Sequence, residues 1–293
     1  MRPLKVALFV KSSDWSAIRD QRNMGMWSYP VPEFEWSHHY ANNFQVIDKA
    51  KYKDYDFIFH EDAGYAAYMG KGLPVIYYTF DSFLTEEHRT VRRKQATYAD
   101  LVLIDHDDLE HFQGMNVRRF PYATNDRLYV PLEKTNDVSF HCASSTKNTA
   151  PKALERSALR KQIGVICAAR GWSYTSGTRS PIEYAASMGK SKIVVNLSRN
   201  WLHRPHRAFD AMACGAAYLT DPSKVFAEDV IVAGKDYATF DDVNEIEEAL
   251  EGLLEGDKWC EIAASGHDVI MKNHTWTIRA KQLREIINHE FGL

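Results

Sequence analysis

Short apolar runs alternate with longer stretches of mixed polarity in the N-terminal part of the chain. Five of these runs predict β-strands: KVALFV (5–10), YDFIFH (55–60), PVIYYTF (74–80), LVLI (101–104) and VRRFPY (117–122). Their nearly continuous apolar character is typical of parallel strands that are covered on both faces. Helices are predicted between them at 63–72, which ends at a glycine, and at 86–99. This alternation indicates a doubly wound α/β sheet.

A second series of the same kind follows a polar, turn-rich stretch at 122–137, where we place a domain boundary. Its predicted strands are 138–143, 165–169, 192–198 and 216–221, and its predicted helices are 152–164, 182–188 and the segment after Arg207. A polar loop is predicted at 170–181, and two amphipathic helices at 243–256 and 275–291. Two such sheets predict two Rossmann-like domains, with ligands bound at strand carboxyl ends in an interdomain cleft.

Composition and charge argue against several classes of function but do not identify one. The 293 residues carry a formal net charge of −3, so no global basic field favours nucleic acid. The local basic patch RTVRRK (89–94) is either a solvated helix face or a contact to DNA. The four cysteines form no CxxC pair, and no apolar stretch approaches the ~20 residues that span a bilayer. We therefore expect a cytoplasmic protein with no membrane span, no structural zinc and no disulfide scaffold.

The stretch HRPHRAFDAMACGAAYLTD (203–221) carries the strongest chemical signal. Pro205 suits the entry of a helix, and Gly215 suits its C-terminal cap. The unpaired N–H groups and the dipole of that helix start favour an anion, and Arg204, His206 and Arg207 add side-chain donors there. The cluster predicts a diphosphate site. The alternative is a solvated, salt-bridged helix start.

Asp210 lies about one turn after Arg207, near the same helix face. A carboxylate there can accept hydrogen bonds from two vicinal ribose hydroxyls, as acidic residues do in dinucleotide-binding folds. It could also pair with Arg207 or cap the helix locally. The stretch thus predicts a nucleotide diphosphate as ligand.

RAFDAMACGAAYLTD resembles a segment of the GT-B glycosyltransferases, and especially of their CgeB-like, spore maturation type branch with a family-1-type C-terminal domain. Further pieces resemble that branch in the same order: PVIYYTFDS (74–82), ADLVLIDHDDLEHF (99–112), DVSFHCASS (137–145), SKIVVNLS (191–198) and NHTWTIRAKQL (273–283). The resemblance implies the GT-B fold. Residues 1–130 would bind the acceptor, residues 131–274 would bind the nucleotide sugar, and the helix at 275–293 would cross back to the N-terminal domain.

The resemblance also implies roles for individual residues of the C-terminal domain. Asp210 matches the ribose-binding position, and the turn at His206 and Arg207 matches the one that faces the diphosphate. The loop that contains Thr146 and Lys147, together with Ser144 and Ser145, matches one near the phosphates; Arg156 and Asn196 would lie near the same cleft. The chain departs from many retaining members at Leu202, where they carry a glutamate. The donor-sugar contact and the stereochemical course therefore stay open.

The N-terminal domain offers three candidates for acid–base chemistry. Asp81 follows a strong predicted strand, and His60 and Asp62 lie at the carboxyl end of another. A carboxylate or histidine at a strand's carboxyl end can act as general base toward an acceptor hydroxyl. Asp81 could equally cap the next helix. In a retaining enzyme these groups would only position substrates.

The function that the resemblance implies is transfer of a sugar from a nucleotide-diphosphate sugar, UDP by default, to a hydroxyl acceptor, without a metal or a prosthetic group. The acceptor could be a glycan, a protein, a small molecule or modified DNA. Three alternatives stay open. They are a transferase acting on a hydroxymethylated DNA base, a sugar-nucleotide epimerase or hydrolase on the same architecture, and a catalytically silent nucleotide-sugar-binding module.

Overall fold

A computed structural model describes residues 2–10, 31–40, 45–61, 66–79, 86–105, 109–141, 151–177, 180–198, 206–222 and 231–293. By its internal contacts the chain divides into two compact units. The first comprises Met1–Tyr122 and Trp276–Leu293, and the second comprises Ala123–Thr275. Parallel sheets with α-helices make up both units, so the fold class is α/β, as predicted.

The first unit is built on a six-stranded sheet. Its strands are β1 (Leu4–Val10), β2 (Phe34–Tyr40), β4 (Phe57–Glu61), β6 (Val75–Thr79), β7 (Leu101–Ile104) and β8 (Val117–Arg119). They lie in the order β2-β1-β4-β6-β7-β8, and all neighbours are parallel. The chain leaves β1 on one side for β2 and returns on the other at β4. A topological switch point therefore lies between β1 and β4.

Two α-helices, two single-turn 3-10 segments (Lys49–Tyr52 and Leu109–Phe112) and a small second sheet complete the described part of this unit. The helices are α1 (Glu86–Ala96) and α7 (Trp276–Phe291). Helix α7 is tied to the rest of the unit by its charged side chains: Glu290 accepts hydrogen bonds from Asn116 at 2.8 Å and from Arg118 at 2.7 Å, and Arg279 donates to the carbonyl oxygen of Pro121 at 2.8 Å. The last helix of the chain is thus bonded to residues near the end of β8.

The second unit is built on a five-stranded sheet. Its strands are β9 (Asn136–Phe140), β10 (Tyr174–Ser176), β11 (Ser191–Asn196), β12 (Ala217–Thr220) and β13 (Ala238–Thr239). They lie in the order β10-β9-β11-β12-β13, again all parallel. The helices of this unit are α2 (Pro151–Arg170), α3 (Pro181–Gly189), α4 (His206–Ala213), α5 (Ile246–Leu254) and α6 (Lys258–Asn273). Here the switch point lies between β9 and β11.

The predicted helix at 63–72 was wrong. Residues Ala66–Met69 form a strand, β5, which pairs in parallel with β3 (Gln45–Asp48) in a separate two-stranded sheet. The side chain of Gln95 binds both backbone groups of Ala66, accepting from its N–H at 2.9 Å and donating to its carbonyl oxygen at 2.8 Å. These tertiary partners take the backbone bonds that a helix would have used.

The predicted strand at 165–169 was also wrong, because these residues continue helix α2 to Arg170. The side chains of Leu159, Ile163, Ile166 and Cys167 are buried, whereas Val165 is 70% exposed. That spacing is helical. A short apolar run alone does not distinguish a buried strand from a segment of helix. The predicted loop that follows contains the short strand β10, and helix α6 was not predicted at all.

Helix α4 is the element that positions the candidate site, and its end is as predicted. Gly215 has φ +61°, its N–H donates to the carbonyl oxygen of Met212, and the N–H of Ala216 donates to that of Ala211. This pair of bonds is a Schellman motif, which a glycine in the left-handed region allows. All residues from Ala208 to Ala213 are buried.

Helix α6 approaches this region closely at Gly266. A Cβ atom there would overlap the carbonyl oxygen of Asp236 and would lie 3.1 Å from Cγ of Met212 in α4. We expect Gly266→Ala to lower the free energy of unfolding by about 1–3 kcal/mol, because a packed core does not accept an extra methyl group without displacement. Denaturant unfolding measures it. Gly252→Ala in α5, where a Cβ meets nothing within 4 Å, is the matched control and should be neutral or stabilising.

Within the described residues, no helix is long and apolar enough to cross a membrane. The thiols of Cys167, Cys214 and Cys260 are free.

Candidate functional site

Three parallel strands of the second unit end at the same edge of its sheet. β9 ends at Phe140 and is followed by His141, β11 ends at Asn196, and β12 ends at Thr220. His141 and Asn196 therefore lie on the two sides of the switch point between β9 and β11. In open α/β sheets this is where ligands bind.

Arg207 lies in the first turn of α4 and is held by two other elements. Its Nη1 donates to Oδ1 of Asn196 at 2.5 Å, and its Nε donates to the hydroxyl oxygen of Tyr184 in α3 at 3.1 Å. The side chain is half-buried. A guanidinium is therefore fixed at the carboxyl edge of the sheet, next to the positive end of a helix dipole.

The amide of Asn196 is itself oriented by the neighbouring strand end. Its Nδ2 lies 3.4 Å from Oγ1 of Thr220, which donates to Oδ1 of Asp221 at 3.0 Å. The same Asp221 oxygen accepts from the backbone N–H of Ser198 at 2.7 Å. With the amide nitrogen toward Thr220, the amide oxygen is the atom that accepts from Arg207.

Aromatic rings surround the hydroxyl that meets Arg207. The ring of Tyr184 packs edge-on against His141, with centroids 5.3 Å apart, and against Tyr129 at 6.3 Å. Nδ1 of His141 lies 3.3 Å from the carbonyl oxygen of Gly177. Burial raises the pKa of Tyr184 despite the opposing charge of Arg207, so this phenol is neutral at neutral pH.

Asp210 lies one turn further along α4 and is buried, with 4% of its surface exposed. Its Oδ1 accepts a hydrogen bond from Oγ1 of Thr124 at 2.9 Å. Burial raises the pKa of this carboxyl to about 7, against the opposing effects of Thr124, Arg207 and the Tyr129 hydroxyl. Asp210 is thus partly protonated at neutral pH.

The structure describes some of the other residues predicted for this site but not all of them. His206 begins α4 and is half-buried, and Arg156 is half-buried on α2. Thr146, Lys147 and Arg204 lie outside the described residues, as do Ser144, Ser145 and Leu202. The structure therefore brings together Asn196, Arg207 and Asp210 around one helix start. Their roles toward a ligand stay predictions.

The three acid–base candidates of the first unit are described only in part. Asp62 and Asp81 lie outside the described residues. His60 lies near the carboxyl end of β4, next to the switch point, and is completely buried. Its Nδ1 lies 2.8 Å from the hydroxyl of Tyr68 and 3.3 Å from Nε2 of Gln95. These are contacts of a packed histidine, and a catalytic role for it stays a prediction.

Two further side chains have hydrogen-bond partners within their own unit. The hydroxyl of Tyr174 donates to the carbonyl oxygen of Arg160 at 3.0 Å, and its ring packs on the core of the second unit. In the basic patch, the guanidinium of Arg93 donates to the carbonyl oxygens of His111 and Gln113. Both side chains therefore have roles within the fold.

The sequence did not predict four residues that surround Arg207 and Asp210: Tyr184, His141, Thr124 and Tyr129. His141 directly follows a buried strand, so the rule that selected Asn196 could have selected it as well. No local motif marks Tyr184, Thr124 or Tyr129, because they reach α4 from other stretches of the chain. Among the described residues, no group of three or more His, Cys, Asp or Glu side chains could hold a metal ion.

The chain is similar to known proteins over most of its length. Residues 132–285, just over half of the sequence, match a family profile described as "Glycosyl transferase-like". A search of curated protein sequences finds no significant match. Sucrose-phosphate synthase from Thermosynechococcus elongatus has a similar structure, with a TM-score of 0.65 at 12% identity over 99% of both chains.

Two further solved structures are similar. Anabaena HepE in complex with UDP-glucose has a TM-score of 0.64 at 12% identity, over 98% of this chain and 100% of HepE. An alpha-glucosyltransferase in complex with UDP and a 13-mer DNA containing a HMU base has a TM-score of 0.61 at 10% identity, over 98% of this chain and 100% of that one. These likenesses confirm the predicted α/β fold of the GT-B type.

Proposed function

This chain belongs to the glycosyl transferase-like family, and from that membership we propose that it transfers a sugar from a nucleotide-diphosphate sugar to a hydroxyl acceptor. The observation that carries the proposal is the guanidinium of Arg207, held by Asn196 and Tyr184 at the sheet edge within the matched segment. We propose a UDP-sugar as donor, since HepE and the alpha-glucosyltransferase, which share the fold, have been solved with UDP-glucose and UDP.

In the proposed reaction the bond between the anomeric carbon and the diphosphate oxygen breaks, and its electron pair leaves with the nucleotide. Arg207 and the start of α4 would face the charge that develops on that oxygen. Preorganised donors of this kind lower the barrier because they need no reorganisation during the reaction. The acceptor hydroxyl forms the new bond and loses its proton, for which Asp81, His60 and Asp62 are the proposed candidates.

Asp210 is the proposed acceptor for the ribose hydroxyls. An ionised carboxylate has about four lone-pair positions, and Thr124 and Tyr129 occupy two of them. Acceptor capacity thus remains for a sugar hydroxyl. Thr146, Lys147, Arg204 and His206 are proposed to complete the phosphate side.

The subfamily and the identity of the acceptor are proposed separately, because they rest on other observations. The CgeB-like branch rests on the sequence pieces alone. A hydroxymethylated base in DNA is the second candidate acceptor, favoured by the basic residues of α1 and by the fold likeness to a glucosyltransferase solved with DNA. Duplex binding that falls steeply with salt would support it.

We expect UDP to stabilise the protein against thermal unfolding. A ligand at 100 times its dissociation constant adds about 2.7 kcal/mol to the free energy of unfolding. UDP, ADP and GDP are compared, followed by UDP-sugars incubated with and without acceptor panels while UDP release is measured. Acceptor-dependent release supports the proposal. Acceptor-independent release or an isomerised sugar indicates a hydrolase or epimerase, and binding without turnover indicates a silent binding module.

A further inference from the structure

We propose that Tyr184 is a positioning residue, which sets the plane of the Arg207 guanidinium for the donor's diphosphate. The inference rests on the proposed function and concerns a residue that the sequence motif does not contain. Tyr184 lies on α3, before β11, whereas the motif begins after that strand. Its effect on the donor would pass through Arg207.

The first step of the argument is the geometry of the guanidinium. The group is planar and carries five N–H donors in a fixed arrangement. The bond to Asn196 uses Nη1 and the bond to Tyr184 uses Nε, so the two bonds together define the plane. Loss of either bond removes one of the constraints on that plane. Two partners on different elements therefore fix an otherwise flexible side chain, which costs up to about 2 kcal/mol in rotamer freedom.

The second step is that Tyr184 is itself held in place. Its ring packs edge-on against His141 after β9 and against Tyr129. Its hydroxyl remains protonated at neutral pH because burial raises its pKa. The oxygen is thus a neutral acceptor, which adds no negative charge next to Arg207. A carboxylate at this place would neutralise the guanidinium instead.

The third step concerns the helices that carry the pair. At their other ends, α3 and α4 are joined by the half-buried Lys134, whose Nζ donates to the carbonyl oxygen of Gly189 at 2.8 Å and to that of Cys214 at 2.9 Å. The helix pair therefore has a clamp that is independent of the Tyr184 hydroxyl. Removing that hydroxyl should leave both helices in place.

The test is Tyr184→Phe, which keeps the ring and removes the hydroxyl. We expect UDP affinity and kcat/KM for the UDP-sugar to fall about tenfold, since a hydrogen bond to a charged group contributes about 1.5 kcal/mol or more. Uridine, which lacks the diphosphate, should bind within twofold of wild type. A general loss of structure would weaken both ligands equally, and that result would overturn the inference.

A double-mutant cycle shows whether the effect passes through Arg207. In an Arg207→Ala background, Tyr184→Phe should have no further effect on UDP affinity; additive losses would contradict positioning. Tyr174→Phe, which removes a hydroxyl bonded to the Arg160 carbonyl oxygen in the same unit, is the matched control and should bind UDP like wild type. If wild type itself binds no nucleotide, the proposed function fails. If wild type binds UDP and Tyr184→Phe binds equally well, only the Tyr184 inference fails.

Discussion

Arg207→Ala is expected to lower kcat/KM for the nucleotide sugar about 100- to 1,000-fold. Removing one preorganised donor from a developing oxyanion typically has an effect of this size. Arg207 also contributes a full positive charge, and charge-assisted bonds to phosphate are roughly twice as strong as neutral ones. Steady-state kinetics with a UDP-sugar measures the effect. Calorimetric titration with UDP measures how much of it is ground-state binding.

The matched control is Arg170→Ala in the same unit. Arg170 ends α2 and pairs with Glu247 and Glu251 at distances of 2.8 and 2.6 Å, away from the sheet edge that carries Asn196. Exposed pairs of this kind contribute little, so its kinetics should equal those of wild type. Arg207→Lys should recover only part of the activity, because a lysine cannot donate to Asn196 and Tyr184 in one plane. Unchanged UDP binding and kinetics in Arg207→Ala would place the diphosphate elsewhere.

The sequence was sufficient for the α/β class and for most strands of both sheets. Their apolar runs are buried on both faces, which leaves a strong signal. The prediction was wrong at 66–69 and at 165–169, where four or five residues were compatible with either a strand or a helix. At Ala66 the bonds from Gln95 decide, and they come from 29 residues away. At 165–169 the helix is favoured because its buried residues have helical spacing and Val165 faces solvent.

For the site, the basic turn located Arg207 correctly at a helix start, because capping and charge act locally. The two side chains that hold Arg207 in place could not be recognised as its partners from the sequence. The resemblance predicts Asn196 near the cleft, but Tyr184 lies 23 residues before Arg207, and no periodic pattern connects Tyr184 with Arg207. The spacing of Asp210 from Arg207 predicts its position on the helix face. Its burial under Thr124, 86 residues distant in sequence, follows only from the folded chain.

The burial of Asp210 has a consequence for stability, which Asp210→Asn tests. The carboxyl has a pKa of about 7 in the folded protein and near 3.8 in an unfolded chain. Between these values the folded state binds more protons, so the carboxyl's contribution is fully present below about pH 4 and is lost as pH rises through 7. Asparagine resembles the protonated acid and does not titrate. The stability of Asp210→Asn relative to wild type should therefore rise by about 2–3 kcal/mol between pH 5 and pH 8.

Denaturant unfolding of both proteins across that pH range measures the difference. Thr124→Val is the companion variant, because it keeps the side-chain volume and removes the hydrogen bond that favours the ionised carboxylate. The Asp210 pKa should then rise further, so the loss of stability should extend to higher pH and become larger. A difference between Asp210→Asn and wild type that stays constant from pH 5 to pH 8 would mean that Asp210 does not titrate there. In that case Asp210 would already be ionised at pH 5. The effects of Thr124, Arg207 and Tyr129, which lower its pKa, would then offset the effect of burial.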